Sequence, residues 1–238
     1  MKNLIAGNWK LNPTNQKEAK EIFDEIKAGI KNATAEVVVC PPFVYLALRS
    51  FSEGGFALGA QNLFWEEKGA FTGEISGAML KDIGAEYVII GHSERRKYFS
   101  ETDEIINQKI KKALDAGLKI IFCVGETEEE KTGGKREEVL QRQIQEGLKD
   151  VLDIDNINVA YEPVWAIGTG NNCSVEETKE SIEFIRKFVK KDTRVLYGGS
   201  VKSENSGVYI KEAGSNGLLV GGASLDGKEF IKIIQSAE

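Results

Sequence analysis

Residues 157–163 read Ile157-Asn158-Val159-Ala160-Tyr161-Glu162-Pro163. The first five form a short, mostly apolar run with the length of a β-strand, and Pro163 ends it because proline has no backbone N–H. The run does not alternate between apolar and polar residues, which is typical of a parallel strand covered on both faces. The pattern therefore predicts a buried parallel strand that carries Glu162 at its carboxyl end.

Other runs of the same kind are spaced along the whole chain. They are Leu4–Gly7, Val37–Cys40, Ala57–Ala60, Tyr87–Ile90, Lys119–Val124, Arg194–Tyr197 and Gly217–Val220. Segments with helical periodicity lie between most of these runs. Eight repeats of strand and helix predict an α/β protein built as a closed (β/α)8 barrel with parallel strands, and a doubly wound open sheet is the alternative.

Three apolar stripes predict helices most clearly. Their members are Ala19, Ile22, Phe23, Ile26 and Ile30; Ile105, Ile106, Ile110, Ala113 and Leu114; and Ile182, Ile185, Phe188 and Val189. Gly29, Gly84, Gly117 and Gly214 lie near the predicted helix ends, where a residue with positive φ is wanted.

Composition sets limits on the function. The 238 residues contain no Pro- or Ser-rich linker, so we expect one domain over residues 1–238. A net charge of −6 argues against a nucleic-acid partner. No apolar run reaches the ~18 residues of a membrane span, and the first residues lack a signal-peptide core. Three widely spaced cysteines fit free thiols in a reducing cytosol, so we expect a cytoplasmic protein.

Polar residues follow several predicted strands, and in a barrel the carboxyl ends of the strands face the active site. Glu162 is a candidate general base. His92 is the single histidine. A lone histidine is more often structural, but this one follows a strand and precedes a predicted helix, whose dipole favours the neutral imidazole. Asn8 and Lys10 follow the first strand, and Lys10 is either a solvated lysine or a cation beside an oxyanion or phosphate.

Glycine pairs after the last two strands indicate a phosphate site. Gly198-Gly199-Ser200 and Gly221-Gly222 let backbone N–H groups approach an anion closely, and barrels often bind phosphate there. The segment Val164–Gly170 has the composition of a lid, with an apolar middle and glycines at its end.

Two further segments have simpler interpretations. The charged run Glu126–Lys131 is interpreted as a solvated loop. The long connection Gln61–Ile75 is apolar, and its sequence fits a partner surface as well as packing over its own barrel.

Five motifs together resemble the triosephosphate isomerase family, in the family's order and over the whole chain. They are Gly7-Asn8-Trp9-Lys10-Leu11-Asn12, Gly91-His92-Ser93-Glu94-Arg95-Arg96, Tyr161–Gly170, Tyr197-Gly198-Gly199-Ser200-Val201 and Leu219–Leu225. The resemblance implies a single-domain TIM barrel that interconverts dihydroxyacetone phosphate and D-glyceraldehyde 3-phosphate in glycolysis and gluconeogenesis. It also implies that no metal or organic cofactor is needed, because the substrate carbonyl stabilises the carbanion.

The resemblance assigns a role to each motif residue. Glu162 moves the proton between carbons, His92 acts on the two substrate oxygens, Lys10 and Asn8 stabilise the enediolate and phosphate, and Glu94 orients Lys10. The implied phosphate ligands are Asn8, Lys10, Gly168, Ser200, Gly221 and Gly222. A homodimer is implied as well, with partner contacts at Gln61, Phe71 and Thr72.

The resemblance leaves alternatives and one departure. The alternatives are another phosphate-binding barrel isomerase and a catalytically silent barrel scaffold. After Gly170 the family commonly has a Lys-Thr-Ala hinge, whereas this chain has Asn171-Asn172-Cys173. We therefore predict altered lid opening, which equal lid-exchange rates by NMR in a Lys-Thr-Ala variant would contradict.

Overall fold

The architecture is a closed barrel of eight parallel strands that pair in chain order, with β1 closing on β8. The computed structural model describes residues 1–47, 55–167 and 172–237. The strands are β1 (Leu4–Asn8), β2 (Glu36–Cys40), β3 (Ala57–Ala60), β4 (Tyr87–Ile90), β5 (Lys119–Val124), β6 (Ile157–Tyr161), β7 (Val195–Tyr197) and β8 (Gly217–Val220). The predicted (β/α)8 barrel is confirmed, and the sheet is not open.

Helices connect the strands on the outside of the barrel. Within the described residues they are α1 (Gln16–Gly29), α2 (Phe43–Leu46), α3 (Gly77–Asp82), α4 (Ser93–Phe99), α5 (Asp103–Asp115), α6 (Glu128–Thr132), α7 (Arg136–Gly147), α8 (Val175–Ile185), α9 (Ser206–Lys211) and α10 (Gly227–Ser236). Short 3-10 turns span Val164–Ala166 and Gly222–Leu225.

The three predicted stripes agree with the helices to within one residue, except at one end. The stripe that begins at Ile182 extends beyond α8, which ends at Ile185. Phe188 and Val189 lie after the helix but still pack on the core, and the ring of Phe188 lies 5.2 Å from that of Phe184. The apolar spacing continues past the helix because the connection that follows covers the same surface.

One of the four predicted helix-end glycines has a different reason for being glycine. Gly84, Gly117 and Gly214 have φ values of 85°, 74° and 73°. Gly29, however, is the last helical residue of α1, and a Cβ built on it would lie 2.3 Å from Cδ1 of Ile231. The prediction of positive φ is wrong there. Glycine is needed at this position because α10 packs so closely on α1 that a side chain would not fit.

The barrel interior is apolar and consists of strand residues. Its members are Leu4, Ala6, Val38, Cys40, Tyr87, Ile89, Ile121, Cys123, Ala160, Leu196 and Leu219. A second, larger apolar cluster joins the outer strand faces to the helices. The two clusters explain why the strands read as runs rather than alternations, since both faces are buried.

A polar network closes the amino-terminal end of the barrel. The carboxylate of Glu36 accepts hydrogen bonds from Tyr87 and from Arg194, the latter at 2.6 Å. Arg194 also donates to Asn158 at 2.7 Å, and Lys119 lies 3.4 Å from Glu36. Burial alone would raise the pKa of Glu36, but the hydrogen bonds from Tyr87 and Arg194 outweigh it and lower the pKa to about 2.

Candidate active site

A cavity of about 870 Å³ opens at the carboxyl ends of the strands. It brings together most of the site residues predicted from the sequence. Those that line it are Asn8, Lys10, His92, Glu162, Ser200, Gly221 and Gly222. Glu94 contacts Lys10 from α4, whereas Gly168 lies outside the described residues.

Glu162 follows β6 and is almost fully buried, with 2 % of its surface exposed. One carboxylate oxygen accepts a hydrogen bond from the backbone N–H of Ser93 at 2.9 Å, and the other lies 3.0 Å from Nε2 of His92. A Cβ on Gly125 would lie 1.7 Å from the Glu162 carbonyl oxygen, so only glycine fits beside this strand end. The carboxylate is therefore held in a defined position, away from bulk water.

His92 caps the amino terminus of α4. Its Nδ1 atom accepts a hydrogen bond from the backbone N–H of Glu94 at 3.2 Å, so in this geometry the ring proton belongs on Nε2. Nε2 faces Glu162 and, like the carboxylate, lines the cavity. The arrangement suits the neutral imidazole that the sequence predicts, because a doubly protonated ring could not accept at Nδ1.

Lys10 occupies a backbone conformation that is unfavourable for a residue with a side chain, with φ at 54°. Three contacts hold it there. Its N–H donates to Oδ1 of Asn8 at 3.1 Å, its carbonyl accepts from Nε2 of Gln61 at 2.9 Å, and Nζ pairs with Glu94 at 2.5 Å. Backbone strain of this kind is typical of functional sites, where neighbouring contacts fix the conformation.

The loops after β7 and β8 form the far wall of the cavity. A Cβ on Gly199 would lie 2.2 Å from the hydroxyl oxygen of Tyr197, and one on Gly221 would lie 3.4 Å from Cε of Lys10. Ser200 donates its hydroxyl proton to the carbonyl of Ala166 at 2.7 Å. Gly199 and Gly221 thus leave this part of the wall without side chains, and at Gly221 the wall lies beside the Lys10 side chain.

The predicted lid is described over its first half. Residues 164–166 form a 3-10 turn in which Ala166 is fully buried. Residues 168–171, which include the end of the predicted lid and Asn171 of the hinge, lie outside the described residues. Of the other two hinge residues, Cys173 is buried and Asn172 lines the cavity.

Glu126 is a functional candidate that the sequence interpretation missed. It is fully buried, and it accepts hydrogen bonds from Nε1 of Trp165 at 2.8 Å and from the hydroxyl of Tyr161 at 3.1 Å. Burial raises its pKa. The interpretation of residues 126–131 as a solvated loop is wrong for Glu126, which is buried and supports the strand end of Glu162, and for residues 128–132, which form α6 rather than a loop. The expected exposure is confirmed for Thr127, Glu128 and Glu129. The sequence did carry a signal for Glu126: it is the second residue after β5, just as His92 is the second residue after β4.

The three predicted partner contacts lie in different surroundings. Phe71 and Thr72 are exposed on the long connection after β3. Gln61 is half-buried and donates to the carbonyls of Lys10 and Cys40, each at 2.9 Å. Gln61 therefore contacts the site directly within its own chain, a support for Lys10 that the sequence did not reveal.

Other features concern thiols, metals and membranes. Cys40, Cys123 and Cys173 are free and buried, and burial raises the pKa of each thiol. Over residues 1–47, 55–167 and 172–237, no group of His, Cys, Asp and Glu side chains is arranged to hold a metal ion. Across the same ranges, no helix is both long enough and apolar enough to cross a bilayer.

Comparison with known proteins identifies relatives over the whole chain. The family model described as triosephosphate isomerase matches residues 3–237. A protein named triosephosphate isomerase from Thermoanaerobacter sp. (strain X514) is 49% identical, with 97% of this chain and 98% of the relative aligned. Proteins of the same name from Alkaliphilus oremlandii and Dictyoglomus thermophilum are each 46% identical, with 98% of this chain and 98% of each relative aligned.

Proposed function

Because the chain belongs to the triosephosphate isomerase family, we propose that it is a single-domain isomerase that interconverts dihydroxyacetone phosphate and D-glyceraldehyde 3-phosphate through an enediolate. The reaction serves glycolysis and gluconeogenesis in the cytoplasm. The observation that carries the proposal is the convergence of a buried carboxylate, an imidazole donor and an ammonium on one cavity.

Glu162 is the base of the proposed reaction. It removes a proton from the carbon that bears the hydroxyl group. The electron pair of that C–H bond forms the carbon–carbon double bond, and the π electrons of the carbonyl move onto its oxygen to give the enediolate. It then returns the proton to the neighbouring carbon, which completes the isomerisation. Its burial supports this role, because a carboxylate held away from bulk water can meet the substrate C–H bond without an intervening layer of solvent.

His92 serves the two substrate oxygens. With the proton on Nε2, the ring donates a hydrogen bond to the oxygen on which negative charge develops, and it moves a proton between the two oxygens. The acceptor bond at Nδ1 supports this assignment, since it fixes both the tautomer and the ring orientation. His92 and Glu162 therefore act on oxygen and carbon, respectively.

Lys10 and Asn8 stabilise the charge that the base creates. The Lys10 ammonium lies beside Gly221 and pairs with Glu94, which keeps its side chain extended along the cavity wall. In that position it attracts both the enediolate oxygen and the phosphate. Asn8 is placed by its own bond to the Lys10 backbone.

The phosphate is held by backbone N–H groups around Ser200, Gly221, Gly222 and Gly168. The small residues that line this wall support the assignment of the first three. Water is kept from the enediolate by the apolar segment after Glu162, which contains the buried Ala166. Exclusion of water would protect the enediolate from loss of phosphate.

The protein acts as a homodimer. Large apolar side chains are exposed on the connections that follow the adjacent strands β1 to β4; they are Leu11, Val44, Phe71, Met79, Tyr98 and Phe99. An apolar surface of this kind, on one side of the barrel mouth, fits a second copy of the chain. The long connection after β3, which carries Phe71 and Thr72, is the centre of this contact.

The two alternatives make different demands on the site. Another phosphate-binding barrel would need the wall at β7 and β8 but not the trio of Lys10, His92 and Glu162. A silent scaffold would need none of the three. The hydrogen bonds that fix the His92 tautomer and the buried Glu162 favour the isomerase over both.

The test is an isomerase assay on the purified chain. Glyceraldehyde 3-phosphate is supplied, and dihydroxyacetone phosphate is followed by an NADH-consuming dehydrogenase. We expect kcat/KM of about 10⁸ M⁻¹s⁻¹, near the diffusion limit. A folded protein without turnover would contradict the proposed function and favour a scaffold.

A further inference from the structure

The side chain of Arg96, on α4, binds backbone carbonyls at the ends of two neighbouring strands. Its Nε donates to the carbonyl of Gly91 at 2.9 Å, and its Nη2 donates to the carbonyl of Cys123 at 3.3 Å. Gly91 directly follows β4, and Cys123 is the penultimate residue of β5. Arg96 therefore joins the ends of the two strands at the point where His92 enters the cavity.

Gly91 has the geometry that this contact requires. Its φ is 76°, and a Cβ built on it would lie 3.2 Å from the Cys123 carbonyl oxygen and 3.3 Å from Nη2 of Arg96. The carbonyl of Gly91 belongs to the same planar peptide as the N–H of His92. A guanidinium that fixes this carbonyl consequently fixes the backbone from which the imidazole projects.

Asp103, the first residue of α5, holds the guanidinium in place. Its Oδ1 accepts from Nη1 of Arg96 at 2.6 Å, and its side chain is 7 % exposed. Its Oδ2 accepts from Nη1 of Arg142, on α7, also at 2.6 Å. All three nitrogens of Arg96 are thus bonded in one plane, which the single nitrogen of a lysine cannot reproduce.

The imidazole of His92 depends on the orientation of this backbone. The bond that sets its tautomer, from the Glu94 N–H to Nδ1, spans 3.2 Å, near the long limit for such a bond. A small rotation of the peptide between Gly91 and His92 would lengthen it further. Without that bond, the ring orientation and the position of the ring proton would depend on the contact of Nε2 with Glu162 alone, which leaves the tautomer less strongly determined.

We propose that Arg96 is a positioning residue for the isomerase reaction: it orients His92 by holding the Gly91 carbonyl against the end of β5, and Asp103 keeps its guanidinium in register. The inference rests on the proposed function. It gives a purpose to a residue of the motif Gly91–Arg96 that points away from the reacting groups.

Arg96→Lys tests the proposal by kinetics. The variant keeps the positive charge near Asp103 but cannot bind both carbonyls. We expect kcat to fall about tenfold or more, because a small misplacement of a catalytic group is costly, and KM to change by less than about twofold. Parent-like kcat would overturn the proposal.

Arg142→Lys is the matched control. It alters the other guanidinium on Asp103, and hence the same cluster of charges, but within the described residues the hydrogen bond and ion pair of Arg142 go to Asp103 rather than to either strand end. We expect this variant to keep kcat within about twofold of the parent. Equal losses in the two variants would assign the effect to the charge cluster and would overturn a specific role of Arg96.

Nuclear magnetic resonance observes His92 directly, because the chain contains a single histidine. In protein labelled with ¹⁵N at histidine, the two ring nitrogens report which of them carries the proton. We expect the parent to show the proton on Nε2, Arg142→Lys to match it, and the folded fraction of Arg96→Lys to show shifts averaged between the two tautomers. A variant that merely unfolds in part would instead show parent shifts beside a separate unfolded signal, and that result would overturn the proposal.

Asp103→Asn keeps the proposal testable if Arg96→Lys does not fold. It preserves the shape at the start of α5 but weakens the hold on both guanidinium groups. We expect the ring shifts of His92 to move in the direction of mixed tautomers, whereas unchanged shifts would overturn the proposal. The resonance measurement needs no turnover, so a parent with the predicted tautomer but no isomerase activity would contradict the proposed function alone.

Discussion

Nε2 of His92 lies 3.0 Å from a carboxylate oxygen of Glu162. The proposed donor for the substrate oxygens, His92, and the proposed base for its carbons, Glu162, thus contact each other directly. The second oxygen of Glu162 is bonded to the Ser93 N–H, one residue from His92. A single turn at the start of α4 therefore orients both groups. In the proposed reaction, Glu162 would have to give up these two contacts in order to reach the substrate.

Shortening the Glu162 side chain should separate activity from stability. Glu162→Asp keeps the charge but withdraws it by about one methylene, and a misplacement of about 1 Å can cost ~10²-fold in rate. We expect kcat to fall at least that far in the coupled assay. Glu137→Asp, an exposed replacement in α7, is the control and should keep parent activity. Parent-like turnover in Glu162→Asp would remove Glu162 from the role of base.

Replacing Lys10 by glycine should lower activity sharply without unfolding the protein. Glycine takes φ near 54° without steric cost, which offsets the lost pair with Glu94, itself worth less than ~1 kcal/mol at a partly exposed site. We expect the free energy of unfolding to change by less than about 1 kcal/mol and kcat to fall by about 10²-fold or more.

The control for Lys10→Gly is Asp150→Gly. Asp150 also has a positive φ, 58°, but lies between α7 and β6, at the opposite end of the barrel from the cavity. Urea unfolding and the coupled assay should show parent activity and equal or greater stability. Activity surviving in Lys10→Gly would mean that the ammonium is not needed to stabilise charge.

A charge on the exposed apolar surface should separate the two copies. Phe71, which is 43 % exposed, is placed at the centre of the proposed contact, so Phe71→Asp would bury an unpaired carboxylate there. We expect the mass from light scattering to fall from that of a dimer to that of a monomer. Leu152→Asp changes a fully exposed leucine before β6 and should leave the mass unchanged. A parent that is monomeric at micromolar concentration would refute the dimer.

Acid should weaken the fold through Glu36. The pKa of this carboxyl is lowered from 4.5 to about 2, so its contribution to stability is complete above pH 4.5 and is lost as the pH falls toward 2. That contribution is at most about 3.5 kcal/mol, since one pKa unit corresponds to ~1.4 kcal/mol.

Glu36→Gln tests this contribution. We expect lower stability at neutral pH and a flatter dependence on pH between 4.5 and about 2, measured by urea midpoints. Glu86→Gln, which neutralises a more exposed carboxylate 3.9 Å from Lys119, should retain the parent profile. The interpretation would be wrong if Glu36→Gln followed the parent curve through this range.

The apolar runs in the sequence, and the polar residues that follow them, made the barrel and much of its candidate site predictable. Runs such as Tyr87–Ile90 indicate buried parallel strands, and a polar residue after such a run, as His92 is, lies at the mouth by topology alone.

The position of Glu126 after β5 follows the same rule, but the roles of Gln61, Glu126 and Arg96 could not be assigned in this way. Each depends on a partner far along the chain, which no sequence period records. Those partners are Lys10 for Gln61, Trp165 for Glu126 and Cys123 for Arg96.

The prediction of a positive φ at Gly29 is wrong for a related reason. A glycine at a helix end usually signals positive φ, but here the constraint came from Ile231, on a helix near the other end of the chain. A glycine can be needed because the backbone has a positive φ or because a neighbouring residue packs closely against it. The second reason can be recognised only from the three-dimensional structure.

The polar network around Glu36 and the cavity around Glu162 lie at opposite ends of the strands, with the apolar interior between them. Natural selection can therefore act on the polar network and on the cavity separately. Substitutions in the polar network around Glu36 would change the tolerance of the protein to heat and acid while the groups around the cavity stay in place. Substitutions in the loops around the cavity would change specificity while the strands stay paired. For a protein engineer, stabilising this barrel and changing its substrate specificity are two independent problems.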